Sequence, residues 1–371
     1  MRAKNRRFTG VIKKIIFATN IVAILLLLSA RLAWIVSPLK TNLFSYIGLG
    51  FGFILAINLA YLIFWMLFGK WKPAMVSLIA LLISYQPILT FFPLHLSSPK
   101  TEGEQIQLLT YNVQGFIHES SKKAKETPLL DYIVDTDADI VCLQEYFISK
   151  TGHSVKTQQD VNRILNQYPY QSIIPLRSSG KHHIYGLACF SKYPIEQSQE
   201  IQFTSSFNGA ALHLININGK RVAIANVHLE SNRITEEDKK LYGNFLLNTD
   251  DTKLEDIATN IRTRLGPAYR ARATQIYKVK EALKQVEYDA AIICGDFNDT
   301  PISYTYAKMK EGMVDAFAST AFGPGISYHQ DFFWFRIDHI LHTPNIHSYR
   351  TKIDRVKHSD HYPLRTYFQI D

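Results

Sequence analysis

Six short segments of this sequence close apolar or β-branched runs with side chains that can bind a hard cation, hold water or move a proton. In chain order they are T-Y-N ending at Asn112, L-Q-E ending at Glu145, N-V-H-L-E around His228, G-D-F-N-D-T-P with Asp296 and Asn298, R-I-D-H-I with Asp338, and S-D-H-Y-P-L with Asp360 and His361. A single Asp or Asn at a strand end is as often a turn former or an edge device as a functional group. Six such tips in series are different, because layered α/β enzymes assemble their sites from loops at strand ends. Carboxylate and amide oxygens without cysteine suit Mg²⁺, or Mn²⁺, rather than a structural zinc. Two imidazoles beside carboxylates supply acid–base or phosphate-stabilising groups. Together they can activate a water, neutralise a phosphate and protonate a leaving oxygen, which is metal-assisted phosphoester hydrolysis.

The elements that must carry these tips follow from period and composition. Strands are expected at Ile106–Asn112, Ile140–Gln144, Gly186–Ser191, Ala210–Ile217, Val222–His228, Ala290–Gly295, Asp338–His342 and Leu364–Ile370. Helical patterns lie between them; near Arg270–Val286, the residues Ile276, Val279, Leu283 and Val286 share one face. Roughly 270 residues of this texture suffice for one layered α/β domain with a substantial core. Cys142, Cys189 and Cys294 each sit in an apolar run and form no C-x-x-C pair, so buried core thiols are expected.

Taken in order, these motifs resemble the endonuclease/exonuclease/phosphatase superfamily, which includes pancreatic deoxyribonuclease, apurinic endonucleases, neutral sphingomyelinases and inositol polyphosphate phosphatases. The resemblance spans about residues 105–371 and implies a four-layer α/β/β/α sandwich, with a site where the two sheets meet at one rim. It implies Glu145 as the main Mg²⁺ ligand, Asp360 as a further metal-side carboxylate and Asn112 near metal and phosphate. By the same resemblance Asp296 and Asn298 orient or deprotonate the attacking water and hold the phosphate. His361 is similar to the phosphate-contacting imidazole, Asp338 to the carboxylate that orients it, and His228 to the second histidine of the deoxyribonuclease and sphingomyelinase branches. The glutamate that orients this second histidine in pancreatic deoxyribonuclease has no counterpart, since Lys181 to Ile195 contains no carboxylate. That stretch looks instead like sphingomyelinase-type members. Within it His182, His183 and Tyr185 could line a cleft, although surface or strand positions are the ordinary reading.

Charge divides the chain. Hydrophobic residues make up 47% and charged residues 20% of the 371, with 41 Lys and Arg against 32 Asp and Glu. Eleven of the basic residues and no acidic ones fall in residues 1–100, so the formal +9 belongs to that segment and the remainder is near neutral. This excludes a disordered chain, a disulfide scaffold and a uniformly basic nucleic-acid coat protein. The first hundred residues read as a membrane anchor with about three transmembrane helices, near 15–36, 42–68 and 74–96, because Thr41–Gly69 and Pro73–Ser98 lack any charged side chain and a span needs ~20 apolar residues. A cleavable signal peptide is the competing reading of the first, without a convincing cleavage site. Eight basic residues (Arg2, Lys4, Arg6, Arg7, Lys13, Lys14, Lys70, Lys72) on one side, against Lys40 on the other, orient the N-terminus to the cytoplasm. Residues 101–371 then form an extracytoplasmic catalytic domain on the inner or plasma membrane.

A helical insertion is expected at about 231–289, in two halves near Thr235–Leu247 and Lys253–Val286. Its charges nearly balance, unlike a phosphate-tracking groove. Arg262, Arg264, Arg270 and Arg272 could meet an anionic head group, solvated helix faces being the default. The run F-F-W-F at 332–335 is expected to pack in the core, a lipid-facing lip being the alternative. The leading expectation is a membrane-anchored, divalent-metal-dependent phosphoesterase acting on a lipid or head group. An anchored nuclease is the alternative, and a binding protein that lost its chemistry is a third reading. The implied partners are a phosphoester substrate and the bilayer; no protein partner is inferable.

Overall fold

The computed structural model describes residues 2–96, 105–116, 127–150, 156–179, 182–205, 207–232, 235, 237–238, 251–330 and 333–370. It opens with α1 (Arg2–Ser29) and a 3-10 turn (Ala30–Trp34), then α2 (Leu43–Leu49), α3 (Phe51–Leu67), α4 (Trp71–Ile83) and α5 (Tyr85–Phe91). One helix, Ile12–Trp34, is long and apolar enough to cross a membrane. The other two expected spans are each bent by 65°, between α2 and α3 and between α4 and α5. The breaks fall at Gly50 and just ahead of Pro87, whose ring and missing N–H exclude it from a continuing helix. Polar side chains tie α1, α3 and α4 together: Asn20 Oδ1 accepts from Trp65 Nε1 (2.9 Å) and Ser77 Oγ (3.1 Å), and Asn58 Nδ2 donates to the Ala23 carbonyl (3.0 Å). All three polar side chains are buried among apolar neighbours, where each is held by a hydrogen bond.

The rest is a sandwich. Its strands are β1 (Ile106–Asn112), β2 (Ile140–Ser149), β3 (Tyr170–Ser179), β4 (His183–Ser191), β5 (Ile195–Ile201), β6 (Gly209–Ile217) and β7 (Lys220–His228). They continue with β8 (Ala290–Asp296), β9 (Val314–Asp315), β10 (Tyr328–Gln330), β11 (Phe333–Phe335), β12 (Asp338–His342), β13 (Ile346–Ile353) and β14 (Leu364–Ile370). They form two six-stranded sheets, β13-β14-β1-β2-β4-β3 and β5-β6-β7-β8-β12-β9, and a separate β10-β11 hairpin. One core lies between the sheets (Leu108, Ile140, Ile224, Ile292, Ile340). A second lies under α6 (Pro128–Thr136) and α7 (Gln158–Ile164), which cover the first sheet. A third lies under α8 (Asp251–Lys284) and α9 (Tyr304–Lys310), which cover the second; α10 (Ala316–Thr320) closes its edge. These three cores make the four-layer α/β/β/α sandwich. The expected second half of the insertion corresponds to α8, and the first, Thr235–Leu247, lies almost wholly outside the described residues.

Side-chain alternation converts this layering into a site. On β1, Leu108 faces the other sheet and Leu109 faces the helices; on β8, Ile292 and Cys294 face inward and Ala291 and Ile293 outward. Followed two by two, the inward series become polar at one end: Thr110 and Asn112, Gln144, Asn226 and His228, Asp296, and Asp338. The space between the sheets is thus hydrocarbon along most of its length and polar at one rim.

The helical bundle docks beside that rim. Ile302, six residues after Asp296, packs among Leu27, Ala30, Ala33, Phe51 and Leu81 of the bundle. Trp34 Nε1 donates to the Pro301 carbonyl at 2.8 Å. Gly48 is required here by close approach, since a Cβ would sit 2.1 Å from the Ile302 carbonyl oxygen. Arg336, two residues before Asp338, donates to the Thr90 carbonyl, and Tyr46 stacks edge-on with Tyr269 of α8.

Candidate active site

Three of the expected site residues come from adjacent strands of the second sheet. Asp296 pairs in register with His228 on one side and Asp338 on the other, so three inward-facing side chains stand in a row. Asn112 reaches them from the first sheet: its Nδ2 donates to Asp296 Oδ2 and to Glu145 Oε1, both at 3.1 Å. His228 Nε2 lies 3.5 Å from Glu145 Oε1 and 3.7 Å from Asp296 Oδ2. His361 Nδ1 is 2.8 Å from Asp338 Oδ2, and its Nε2 is 3.7 Å from Asp296 Oδ2. Asn298 donates its backbone N–H to Asp296 Oδ1 (2.8 Å) and its amide to the Leu229 carbonyl (3.0 Å). Asp360, next to His361 in the chain, raises the pKa of both Glu145 and His361 by its charge, and Ser359 Oγ ties its loop to the Asn112 carbonyl at 2.8 Å. All eight residues expected from the sequence converge.

Local backbone features aim them. Glu145 has φ +52° where the β2–β4 register shifts between Leu143 and Tyr146. This bulge turns Glu145 toward the rim, while Gln144 stays in the buried layer beneath. Asn298 also has φ +52°, a conformation that asparagine tolerates better than most residues. Gly295 has φ +131°, and a Cβ there would meet the Val227 carbonyl at 2.1 Å. The floor is a polar bridge between the sheets: Gln144 Nε2 donates to Thr110 Oγ1 (2.9 Å) and Asn226 Oδ1 (2.7 Å), and Asn226 Nδ2 to the Leu143 carbonyl (3.1 Å).

Burial and charge push the two histidines apart. Burial opposes protonation of His361, but Asp338, Asp296 and Asp360 outweigh it and hold the imidazolium well above its ordinary range. At His228 burial prevails over Asp296 and lowers the pKa, leaving a neutral ring. Burial raises Asp296 to about 6, with Asp338 adding to the rise and His361 opposing it. Burial also raises Glu145, helped by Asp360 and opposed by the Asn112 amide. One imidazolium therefore faces an excess of carboxylate charge, and the hard oxygens of Glu145 and Asp360 fit a divalent cation. Asp296, Asp338 and His361 also offer ligand atoms within 4.8 Å of one another, but a protonated His361 bound to Asp338 is a proton donor rather than a ligand.

Because Asp338 sustains the His361 charge, Asp338→Asn should lower the His361 pKa. The alkaline limb of kcat/KM should then move to lower pH by ~1 unit or more, the scale of a close ion pair. A pH–rate profile with an unmoved alkaline limb would remove His361 as the titrating acid.

Tyr185, named from the sequence as able to line a cleft, has its hydroxyl raised by burial and by the charges of Glu145 and Asp296. It lies two by two along β4 from inward-facing Cys189. His182 is exposed, and His183 stacks on Phe147. Several supporting residues escaped the sequence reading. Asn208 Nδ2 donates to the Leu229 carbonyl (2.9 Å) and lies 3.4 Å from His228 Nε2. Ser327 Oγ accepts from the Ile337 and Asp338 amides (3.0 and 3.1 Å) and so holds the R-I-D turn. Arg272 is not on a solvated helix face. It is fully buried, with Nε 3.2 Å from Asp299 Oδ2 and Nη1 donating to the Glu230 carbonyl (2.7 Å), so it joins the segments after His228 and after Asp296. The F-F-W-F run is not core either: Trp334 is 65% exposed on the β10–β11 hairpin, and Phe332 lies outside the described residues.

Residues 109–361 match the family model described as Endonuclease/Exonuclease/phosphatase family, and residues 13–91 match a domain of unknown function. No curated protein matches in sequence. Among solved structures the chain is similar to an endonuclease/exonuclease/phosphatase family protein from Bacteroides thetaiotaomicron (15% identity, TM-score 0.51, 73% of this chain and 100% of that one). It is also similar to one from Leptotrichia buccalis C-1013-b (15%, 0.50, 71% and 100%) and to one from Beutenbergia cavernae DSM 12333 (14%, 0.50, 72% and 72%).

Proposed function

Because the chain belongs to the endonuclease/exonuclease/phosphatase family, whose members hydrolyse phosphoester bonds, we propose that it is a membrane-anchored, Mg²⁺-dependent phosphodiesterase acting on a lipid or lipid head group. The observation that carries this reading is the convergence of six distant segments on one rim, with His361 held protonated and His228 neutral. A site built of groups whose pKa values are pushed apart has its acid and its base already distinguished.

Glu145 and Asp360, with Asn112 beside them, would hold Mg²⁺, Mn²⁺ being the alternative. When bound, the ion supplies charge neutralisation on a phosphoryl oxygen. Asp296, oriented by the Asn298 amide, positions the attacking water and accepts its proton. Neutral His228, 3.7 Å from Asp296, shares that hydrogen-bonding site. His361, fixed by Asp338, donates to a phosphoryl or leaving oxygen as negative charge develops. Water adds to phosphorus, the ester P–O bond breaks, and the departing alkoxide leaves as an alcohol.

Membrane anchoring is supported by the distribution of apolar surface. Among the described residues, all but six of the large apolar side chains that stay exposed fall in residues 12–96. Such a patch is far larger than soluble domains tolerate. Arg31 Nη1 reaches the Ile83 carbonyl at 3.1 Å, at the end of the bundle that meets the sandwich. The Lys70–Lys72 turn is at the other end, which favours three spans and an extracytoplasmic sandwich under the positive-inside rule.

The test is hydrolysis by the purified full chain of phospholipids, duplex DNA, RNA and bis-p-nitrophenyl phosphate, with and without EDTA. Lipid phosphodiesters should turn over fastest, EDTA should abolish all turnover and Mg²⁺ should restore it. Faster cleavage of nucleic acid would favour the anchored nuclease. Turnover that ignores EDTA would remove the metal.

A further inference from the structure

Four contacts from the helical bundle fall on segments that lie directly behind Asp296 and Asp338. Trp34 Nε1 donates to the Pro301 carbonyl at 2.8 Å, and Ile302 is buried among bundle side chains. Gly48 lets the bundle backbone lie against the Ile302 carbonyl, where a Cβ would collide. Arg336, two residues before Asp338, donates to the Thr90 carbonyl. Tyr46 packs edge-on against Tyr269, whose ring lies 4.8 Å from the Arg272 guanidinium, and Arg272 Nε in turn reaches Asp299 Oδ2 at 3.2 Å.

These contacts meet on one connected unit. The Phe297 N–H donates to the Ile337 carbonyl at 2.9 Å, so the segment after Asp296 and the segment before Asp338 are bonded to each other. His339 Nε2 lies 3.0 Å from the Asp299 carbonyl and forms a second cross-tie. The two carboxylates themselves stand opposite one another in register on β8 and β12. The Asn298 N–H that binds Asp296 Oδ1 belongs to the same loop. Phe297, Asp299, Thr300, Ile302 and Ser303 are all buried, so the loop is packed on both sides and passes a displacement on where a solvated loop would absorb it. A tether needs only a covalent connection. Contacts gathered behind two of the site carboxylates also fix their separation and angle.

We infer that the bundle is a positioning element of the active site. Trp34 and Gly48 set the seat of the loop from Asp296 to Ile302, and Arg336 sets that of the strand bearing Asp338. The geometry of Asp296, Asp338 and His361 therefore depends on how the helices dock. The inference rests on the phosphoesterase reading for the reaction these residues serve, while the coupling itself rests on the bundle contacts alone.

The test uses the full chain in a nonionic detergent, with bis-p-nitrophenyl phosphate and Mg²⁺, because this substrate needs no bilayer. Trp34→Phe keeps the apolar packing and removes one donor. Its kcat should fall roughly five-fold, the scale of one net hydrogen bond, with KM within about two-fold of wild type and an almost unchanged melting temperature. Gly48→Ala drives a methyl against the Ile302 carbonyl, and kcat should fall roughly 10- to 100-fold, as for a misplacement of about 1 Å. A lower kcat at constant KM marks misaligned groups and not lost substrate binding. Amide hydrogen exchange of the metal-free protein reads the coupling without turnover. In Trp34→Phe the segments 297–303 and 336–339 should exchange roughly five-fold faster, while β1 and β2 exchange as in wild type. Unchanged exchange in those segments would overturn the coupling, and faster exchange with unchanged kcat would overturn the positioning role. Should Gly48→Ala fail to fold, Trp34→Phe decides by the same two readouts. A wild type without turnover would remove the phosphoesterase reading, and the exchange result would still decide the coupling.

Discussion

Asp296→Asn should lower kcat on bis-p-nitrophenyl phosphate with Mg²⁺ by about 10³- to 10⁴-fold, which corresponds to ~4–5.5 kcal/mol of barrier. The substitution keeps shape and volume but removes the carboxylate at the centre of the cluster, which lies against Asn112, Asn298, His228 and His361 at once. It also removes one of the charges that keep His361 protonated. The loss should not reflect unfolding, because Asp296 is a buried carboxylate whose charged form the fold disfavours. A group with a raised folded pKa contributes stability that is present below its unfolded value of 3.8 and is lost as pH rises through about 6. At neutral pH the variant should therefore melt at or above the wild-type temperature in the metal-free protein. Below pH 6 the wild-type rate should fall toward that of the variant as Asp296 takes up its own proton. A variant within ten-fold of wild type would remove Asp296 from the chemistry.

The second large effect is on stability. Arg272→Ala should destabilise the sandwich by about 3–5 kcal/mol at pH 7, because it strands a buried partner charge. Asp299 is raised by burial and kept down chiefly by Arg272, and the Glu230 carbonyl and Asn232 side chain lose their donor as well. The deficit should shrink at pH 5, where a stranded Asp299 can be protonated. Removing both charges, Arg272→Met with Asp299→Asn, should recover much of the loss. Urea unfolding at both pH values reads this directly, and a deficit under ~1 kcal/mol would mean that the pair behaves as an exposed one does.

The edges of the sheets show where a linear reading stops. All eight strands expected from the sequence exist, and among them are the partners that carry the site. The strands it missed include β13, β3, β5 and β9, which are the four edges of the two sheets. A central strand is buried on both faces and writes a continuous apolar run. An edge strand such as β5, I-E-Q-S-Q-E-I, has one buried position and reads as a loop. Likewise, the N-terminal helices are legible as apolar stretches, but the 65° bends depend on packing around Gly50 and Pro87.

By itself the sequence determined the class of chemistry, since it wrote eight donor and acceptor side chains at the ends of apolar runs in one fixed order. It also determined the charge division between a basic, apolar first hundred residues and a nearly neutral remainder. Tertiary structure alone decided that Glu145 turns into the rim through a left-handed bulge, that Arg272 is a buried strut and not a surface cation, and that the bundle clasps the loop after Asp296. The physical reason is that residue type and spacing fix which face of a strand a side chain occupies. Register, burial and the approach of distant backbone fix its electrostatics, and those arise only once the two sheets have met.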